Sequence, residues 1–282
     1  MPSILRVAAL QMVSQDDVQY NLNQLTLLVE QAAQSGAQLL VLPENFALFS
    51  AEKARAFAEE KAEMVLSILS GLCQKHGVWI CAGTLPFLRN DEQQLVQNSR
   101  VRAACFLLND QGVCVSRYDK VHLFDVTVND AVGCYRESKN IEPGNKVCVY
   151  ESPWGKFGFA VCYDLRFPEM FRIMAKKGAL LTFVPSAFTR ITGLAHWEVL
   201  LRARAIENQM FIIGANQGGT HHLIKNNVKE TRETFGGSSI VSPWGVVLNK
   251  IDQGTGIVMS DLNFDELHEI RKNFPVFEHA IF

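Results

Sequence analysis

Apolar runs alternate along the chain with stretches in which apolar positions recur every three or four residues, and the two patterns predict strands and helices respectively. "LRVAALQMV" (5–13) reads as a strand, and Leu22, Leu25, Val29 and Ala32 then mark a helix that buries one face. "AQLLVLPE" (37–44) is a second, fully apolar strand ending at Pro43. Met64, Val65, Ile68, Leu69 and Leu72 stand at helical spacing, with Gly77 just past the end, where a left-handed residue closes a helix. Strands are predicted again at "VWICAGT" (78–84), "VRAACFLLN" (101–109) and "GVCVSRY" (112–118). From 148 the alternation resumes with "VCVYESPWGKFGFAVC", a helix opened by Pro168 and closed near Gly178, and the strand "ALLTFVPS". A helix over roughly 194–208, with Trp197, Leu200, Leu201 and Ile206 as its apolar side, precedes the strand "MFIIGAN". "SPWG" occurs at 152–155 and at 242–245, and Pro followed by Gly predicts a tight hairpin turn at both places.

The segment 121–147 lacks a clean period, and irregular stretches longer than about 15 residues tend to carry function. No linker, low-complexity tract or charge block divides the 282 residues. The pattern predicts one α/β domain over 1–282, with strands in layers and helices outside.

Composition narrows the partners. With 27 basic against 29 acidic residues, the formal charge of -2 offers no electrostatic footprint for nucleic acid or acidic lipid. No segment approaches about 18 uninterrupted apolar residues, and the N-terminus reads as a first strand rather than a signal peptide, so a cytoplasmic chain without a membrane partner is expected. Seven cysteines without CxxC spacing argue against a disulfide framework and a zinc site, and most are expected to be small buried hydrophobes. "GTGIV" (254–258) lacks the glycine spacing of a nucleotide loop.

Four places hold residues suited to chemistry. Cys162 ends the strand in "FAVCYDLRFPE", just before a helix opened by proline, where nearby N–H groups favour a thiolate and can stabilise an oxyanion. Composition alone favours a buried structural thiol. Glu44 ends a continuous apolar strand, where poor solvation would raise its pKa and suit it to general-base work; a solvated strand-end charge is the alternative. Lys120 in "SRYDKVHLF" also ends a strand and can face a developing negative charge, or lie on the surface as most lysines do. His122, two residues on, keeps a Cys–His pair open, with a structural role favoured. Glu137 lies in the irregular segment, and spacing alone does not separate it from Glu142.

"LPEN", "YDKVHLFD", "CYRES", "FAVCYDLRFPE" and "ITGLAHWEVLLRARAIENQ" resemble, in order and separation, the blocks of the nitrilase superfamily of carbon–nitrogen hydrolases. The resemblance implies a four-layer αββα sandwich, with Cys162 as nucleophile, Glu44 as general base and Lys120 supporting the oxyanion. It places the second family glutamate at Glu137 and completes the oxyanion site with the Tyr163 backbone N–H. It implies no metal or organic cofactor, and a homodimer.

Within the superfamily, "CYDLRFPE" and "NQGGTHH" resemble most the deaminated glutathione amidases, with the omega-amidases, which act on 2-oxoglutaramate, as siblings. Either substrate is a 2-oxo acid, which needs cationic or hydrogen-bonding partners. Arg166 is the first candidate, against an ion pair with Asp164 or Glu169. Arg190, Thr192, His221 and His222 are further candidates, and the adjacent histidines lack a second pair of ligands for a metal. The segment 217–235 reads as a polar loop forming a mobile rim, its part from 225 to 235 longer and more charged than the resemblance leads one to expect. Two rivals remain: a Cys–His hydrolase using His122 or His196, the latter expected in a helix core or cap, and a non-catalytic scaffold, which predicts a missing member of Glu44, Lys120 and Cys162.

Overall fold

A computed structural model describes residues 2–130, 132–225 and 228–281. Side-chain alternation along its strands explains the apolar runs. In β1 (Ile4–Gln11), Leu5, Val7 and Ala9 join one core while Ala8 and Leu10 join another with helix α1 (Val18–Gln34). The same sorting separates Leu39 and Val41 from Leu40 in β2 (Leu39–Val41). Helices α2 (Ala54–Glu60) and α3 (Ala62–His76) follow, and then β3 (Trp79–Phe87), β4 (Arg102–Leu108) and β5 (Cys114–Asp119). Strands buried on both faces carry no polar side, which is why they read as unbroken apolar runs.

The chain continues through a short hairpin, β6 (Asp125–Thr127) with β7 (Cys134–Arg136), and a 3-10 turn over Glu137–Lys139. Strands β8 (Val149–Ser152) and β9 (Gly155–Phe159), a 3-10 turn over Cys162–Arg166, helix α4 (Pro168–Lys176), β10 (Ala179–Ser186), α5 (Arg190–Asn208) and β11 (Phe211–Asn216) form the next unit. A second hairpin, β12 (Thr220–Lys225) with β13 (Val228–Glu233), precedes β14 (Ser239–Val241), β15 (Val247–Lys250), β16 (Gly256–Asn263) and α6 (Phe264–Asn273).

Two six-stranded sheets result, ordered β16-β1-β2-β3-β4-β5 and β15-β14-β11-β10-β9-β8. Met170 and Phe171 of α4, Trp197 and Leu201 of α5, and Phe264 and Leu267 of α6 share one core with both sheets. With α1 and α3 on the opposite side, the layers are those of the expected αββα sandwich. Among the described residues no helix is long and apolar enough to cross a membrane.

Both "SPWG" segments are hairpin turns, joining β8 to β9 and β14 to β15. In each the serine Oγ accepts a backbone N–H, from Trp154 at 3.1 Å and from Val246 at 3.2 Å. The glycines take φ of 107° and 81°, values that side chains rarely adopt.

Three expectations change. Helix α5 starts at Arg190 rather than 194, because Thr189 caps it by accepting from the Thr192 N–H. Its buried face is Gly193, Trp197, Leu201 and Ala205, and Ile206 is left 48% exposed. The expected polar loop is largely the β12–β13 hairpin, with Asn226 and Asn227 outside the described residues.

Parallel strands β1, β2 and β3 in one sheet and β9, β10 and β11 in the other end on a shared edge. There Met12 bridges Gln217, tying the two sheets together. Gly83, at φ 34°, sits so close to the Pro43 carbonyl that a Cβ would collide with it. That close approach fixes the end of β2, and with it the residue that follows.

Candidate active site

Strand ends deliver the side chains singled out above. After β2, Pro43 ends the ladder and Asn45 turns the chain at φ 59°, its N–H bonded to Thr84 Oγ1 at 3.0 Å, so that Glu44 lies between two fixed residues. Lys120 follows β5, held by its own N–H to the Ala103 carbonyl at 3.0 Å. Cys162 opens the 3-10 turn after β9 at φ 50°. A non-glycine residue in that region is strained, and a sharp strand-to-turn bend of this kind lifts a side chain clear of the backbone.

Lys120 is 1% exposed, and its ammonium lies 2.7 Å from Glu44 Oε1 and 2.8 and 2.9 Å from the two oxygens of Glu137. The Phe124 N–H donates to Glu137 Oε2 at 2.6 Å. Glu142 is elsewhere, paired with Arg100 at 3.2 Å and Arg102 at 2.7 Å, so of the two it is Glu137 that neighbours Lys120. The Cys162 sulfur lies close enough to the cluster for the charges of both Glu44 and Lys120 to act on it. All four side chains therefore meet at the carboxyl-end edge of the sandwich, where ligands bind in open α/β sheets.

Burial and the neighbouring charges shift each group in a definite direction. Burial, and then the negative charge of Glu44, push the Cys162 thiol well above its ordinary range despite Lys120. Helix α4 starts only at Pro168, six positions beyond the sulfur, so its N-terminus is not the local source of thiolate stabilisation that the sequence suggested. Burial opposes charge on Lys120, but Glu137 and Glu44 outweigh it and hold the ammonium well above the usual lysine range. Burial and Glu44 raise Glu137 against the pull of Lys120. A thiol beside a carboxylate can pass its proton across without changing the net charge of the buried cluster.

Two buried networks hold these groups, and the sequence reading missed both. Asp164 is fully buried and accepts from Val161 N–H at 2.8 Å, His122 N–H at 3.0 Å and Tyr118 Oη at 2.7 Å, with His122 Nδ1 at 2.7 Å. It pins the turn that carries Cys162 and commits the His122 ring, which also stacks on Phe167 at 3.6 Å. His122 is accordingly structural. The signal was a carboxylate two residues beyond a buried strand end. In the second network, Gln217 Nε2 donates to the Glu44 carbonyl at 3.0 Å and to Ser14 Oγ at 2.9 Å. His221 extends it, with Nδ1 2.6 Å from the Ser14 carbonyl and Nε2 2.7 Å from Thr234 Oγ1.

The further binding candidates scatter. Arg166 makes no ion pair with Asp164 or Glu169; its guanidinium lies 5.8 Å from the Tyr163 ring and 5.3 Å from that of Phe188, with Nη1 3.2 Å from His196 Nδ1. His196 is exposed, against the expected core or cap. Thr192 is spent on the helix cap, its Oγ1 2.8 Å from that of Thr189. Arg190 is exposed and 3.8 Å from Glu233. His221 is fully buried and stacks on Phe49 at 3.8 Å, so it cannot meet a ligand from solvent. His222 is exposed and bonds through its backbone N–H to Gln15. The first hydrogen bond of the Cys162 turn runs from the Asp164 N–H to Val161 at 3.0 Å, leaving the Tyr163 N–H ahead of the ladder. Among the described residues no group of three or more His, Cys, Asp or Glu could hold a metal ion.

Comparison with known proteins agrees with this geometry. A family model described as carbon-nitrogen hydrolase matches residues 6–272. The chain is 38% identical over 278 residues to a deaminated glutathione amidase of Yersinia enterocolitica, covering 98% of this chain and 93% of that one. The C. elegans NitFhit protein superposes with a TM-score of 0.87 at 30% identity, over 99% of this chain and 65% of that longer one. A glutamate-to-glutamine variant of the amidase from Nesterenkonia sp. AN1, which carries acrylamide by Michael addition at its active site cysteine, superposes at 0.77 with 27% identity, covering 95% of this chain and 97% of that one.

Burial lowers the His221 pKa to about 4, aided by Arg232 and His222 against the Ser14 bond. Its folded value lies below the unfolded one, so the unfolded chain binds the extra proton and stability is lost as pH falls from about 6.5 to about 4. Denaturant unfolding at pH 7.5 and 4.5 should show this as a loss on the order of 3 kcal/mol that is absent from His221→Gln. Parallel pH profiles for the two proteins would contradict the assignment.

Proposed function

The chain belongs to the carbon–nitrogen hydrolase family, and from that premise we propose that it is an amidase hydrolysing deaminated glutathione to 2-oxoglutarate and cysteinylglycine. The observation that carries the chemistry is the Lys120 ammonium, 2.7 Å from Glu44 and 2.8 Å from Glu137, with the Cys162 thiol near enough to feel the charge of both Lys120 and Glu44. The substrate rests on the relatives: the Yersinia protein carries the name deaminated glutathione amidase, and so does a human one, 37% identical over 276 residues.

In this reading Cys162 Sγ attacks the amide carbonyl carbon as its proton passes to Glu44. The carbonyl π electrons move to oxygen, where the Lys120 ammonium and the Tyr163 N–H meet the charge as it develops. Collapse breaks the carbon–nitrogen bond, and Glu44 returns the proton to the departing cysteinylglycine amine. Glu44 next takes a proton from water, whose oxygen attacks the thioester. The second collapse releases 2-oxoglutarate and restores the thiol from Glu44. Glu137 grips Lys120 through both oxygens and is the positioning residue for the ammonium. Each proton needed comes from the thiol or from water, so the cycle closes without an added cofactor.

A Cys–His hydrolase would need a histidine on the sulfur, whereas His122 is bound to Asp164 and His196 lies beside Arg166. A non-catalytic scaffold leaves the buried Glu44–Lys120–Glu137 cluster without a purpose. We also place the chain in the cytoplasm, since seven cysteines without a disulfide suit a reducing compartment. We infer a homodimer, supported by the exposed apolar residues Ile191, Leu194 and Val199 on α5 and Trp244 beyond it.

Cys162→Ala is expected to keep the wild-type melting temperature while kcat/KM on deaminated glutathione falls by at least about 10⁴. Activity within roughly tenfold of wild type would remove the nucleophile. Wild-type enzyme should prefer deaminated glutathione to 2-oxoglutaramate, and the reverse preference would make it an omega-amidase. Light scattering should give particles of twice the 31.6 kDa chain mass, and particles of that mass alone would exclude the dimer.

A further inference from the structure

Arg232 lies on β13 directly opposite His221 of β12, and opposed residues of an antiparallel pair project from the same face. That face is the inner one, because His221 is fully buried there. The Arg232 guanidinium turns inward with it, its carbon 5.1 Å from the centre of the Phe49 ring and 5.1 Å from that of Tyr135. Both rings belong to segments that carry the site: Phe49 follows Glu44 in one loop, and Tyr135 precedes Glu137 in the other. Tyr135 packs on Phe124 at 5.1 Å, and Phe124 packs at 5.2 Å on Tyr163, the residue after Cys162.

Aromatic faces attract a guanidinium but accept none of its in-plane N–H groups. Arg232 Nε is buried and has no hydrogen-bond partner among the described residues. The side chain as a whole is only partly buried, and a planar fork with a donor left unpaired is suited to a carboxylate, which takes two parallel N–H bonds. Arg166 stands at the other end of the run Tyr135–Phe124–Tyr163, over the Tyr163 ring. Two guanidinium groups thus flank the aromatic run, and the proposed substrate carries two carboxylates, one on the acyl group and one on the leaving group.

Reach separates them. Arg166 shares the turn of Cys162, which matches a short 2-oxo acyl chain. Arg232 stands two ring contacts from that turn, which matches an extended dipeptide of roughly 3.5 Å per residue. We propose that Arg232 is the subsite for the carboxylate of the leaving group, the glycine end of cysteinylglycine, and so decides between deaminated glutathione and 2-oxoglutaramate. The inference rests on the substrate reading above and adds the residue that enforces it.

The readout is the ratio of kcat/KM for deaminated glutathione to that for 2-oxoglutaramate, whose leaving group is ammonia and bears no carboxylate. In Arg232→Gln the ratio should fall by roughly tenfold or more, with partial recovery in Arg232→Lys, which restores charge without the fork. A purely structural arginine would lower both rates together, and an unchanged ratio overturns the proposal. Should Arg232→Gln not fold, wild-type enzyme assayed on the glycinamide analogue of deaminated glutathione gives the same test. A loss of roughly tenfold or more supports the subsite, and equal use of acid and amide overturns it. Wild-type enzyme inactive on deaminated glutathione sinks the substrate reading itself, a result separate from an unchanged ratio in an active enzyme.

Discussion

The Lys120 ammonium, almost wholly removed from water and shared by Glu44 at 2.7 Å and Glu137 at 2.8 Å, sets the terms for everything around it. Taking a cation and two carboxylates out of water is unfavourable, and their mutual attraction offsets this only with good geometry and further hydrogen bonds. The Phe124 N–H supplies one such bond to Glu137, and the Asn45 turn and the Gln217 bond to its carbonyl hold the Glu44 backbone. Burial, and then the charge of Glu44, push the adjacent thiol well above its ordinary range. Glu44 also gives that thiol a neighbouring base.

The fold can be understood as the means of holding that cluster. Lys120, Glu44 and Cys162 follow β5, β2 and β9, which end at one edge of the sandwich, and the Met12–Gln217 bridge fixes the two sheets relative to one another there. Asp164 plays the same part for the Cys162 turn, joining it to Tyr118 of β5 and to His122 just beyond that strand. The central strands β2, β10 and β11 are buried throughout, so the polar residues at this edge are bonded to one another and to nearby backbone rather than to solvent.

Much of this was legible in the sequence, for a physical reason. A strand buried on both faces has no polar position until it ends, so the first charged residue after "LLVLP" or "GFAV" announces the edge of the sheet. Glu44 was visible in that way, and Cys162 as standing just ahead of such a charge, Asp164; Lys120 was visible only as a strand end, since β5 already carries Arg117 and Asp119. The choice between Glu137 and Glu142 was not, because it depends on whether Lys120 or the Arg100 and Arg102 pair is the neighbour, which is a tertiary fact. The hairpin of β12 and β13 was taken for a loop because β13 is mostly exposed and so lacks an apolar side. Its one clear signal was the alternation around His221, buried between the exposed Thr220 and His222. Arg232 stayed hidden for the same reason: only the register opposite His221 turns it inward.

The most direct test of the convergence of sulfur, carboxylate and ammonium is to look for the covalent intermediate it is built to form. Wild-type enzyme quenched with acid during turnover of deaminated glutathione should carry a 2-oxoglutaryl thioester, read by intact-protein and peptide mass spectrometry, on the peptide containing Cys162 and on no other cysteine peptide. Glu44→Gln, which lacks the group that takes the thiol proton, should show neither adduct nor turnover. Acylation on a different cysteine, or turnover by Glu44→Gln within roughly tenfold of wild type, would contradict it.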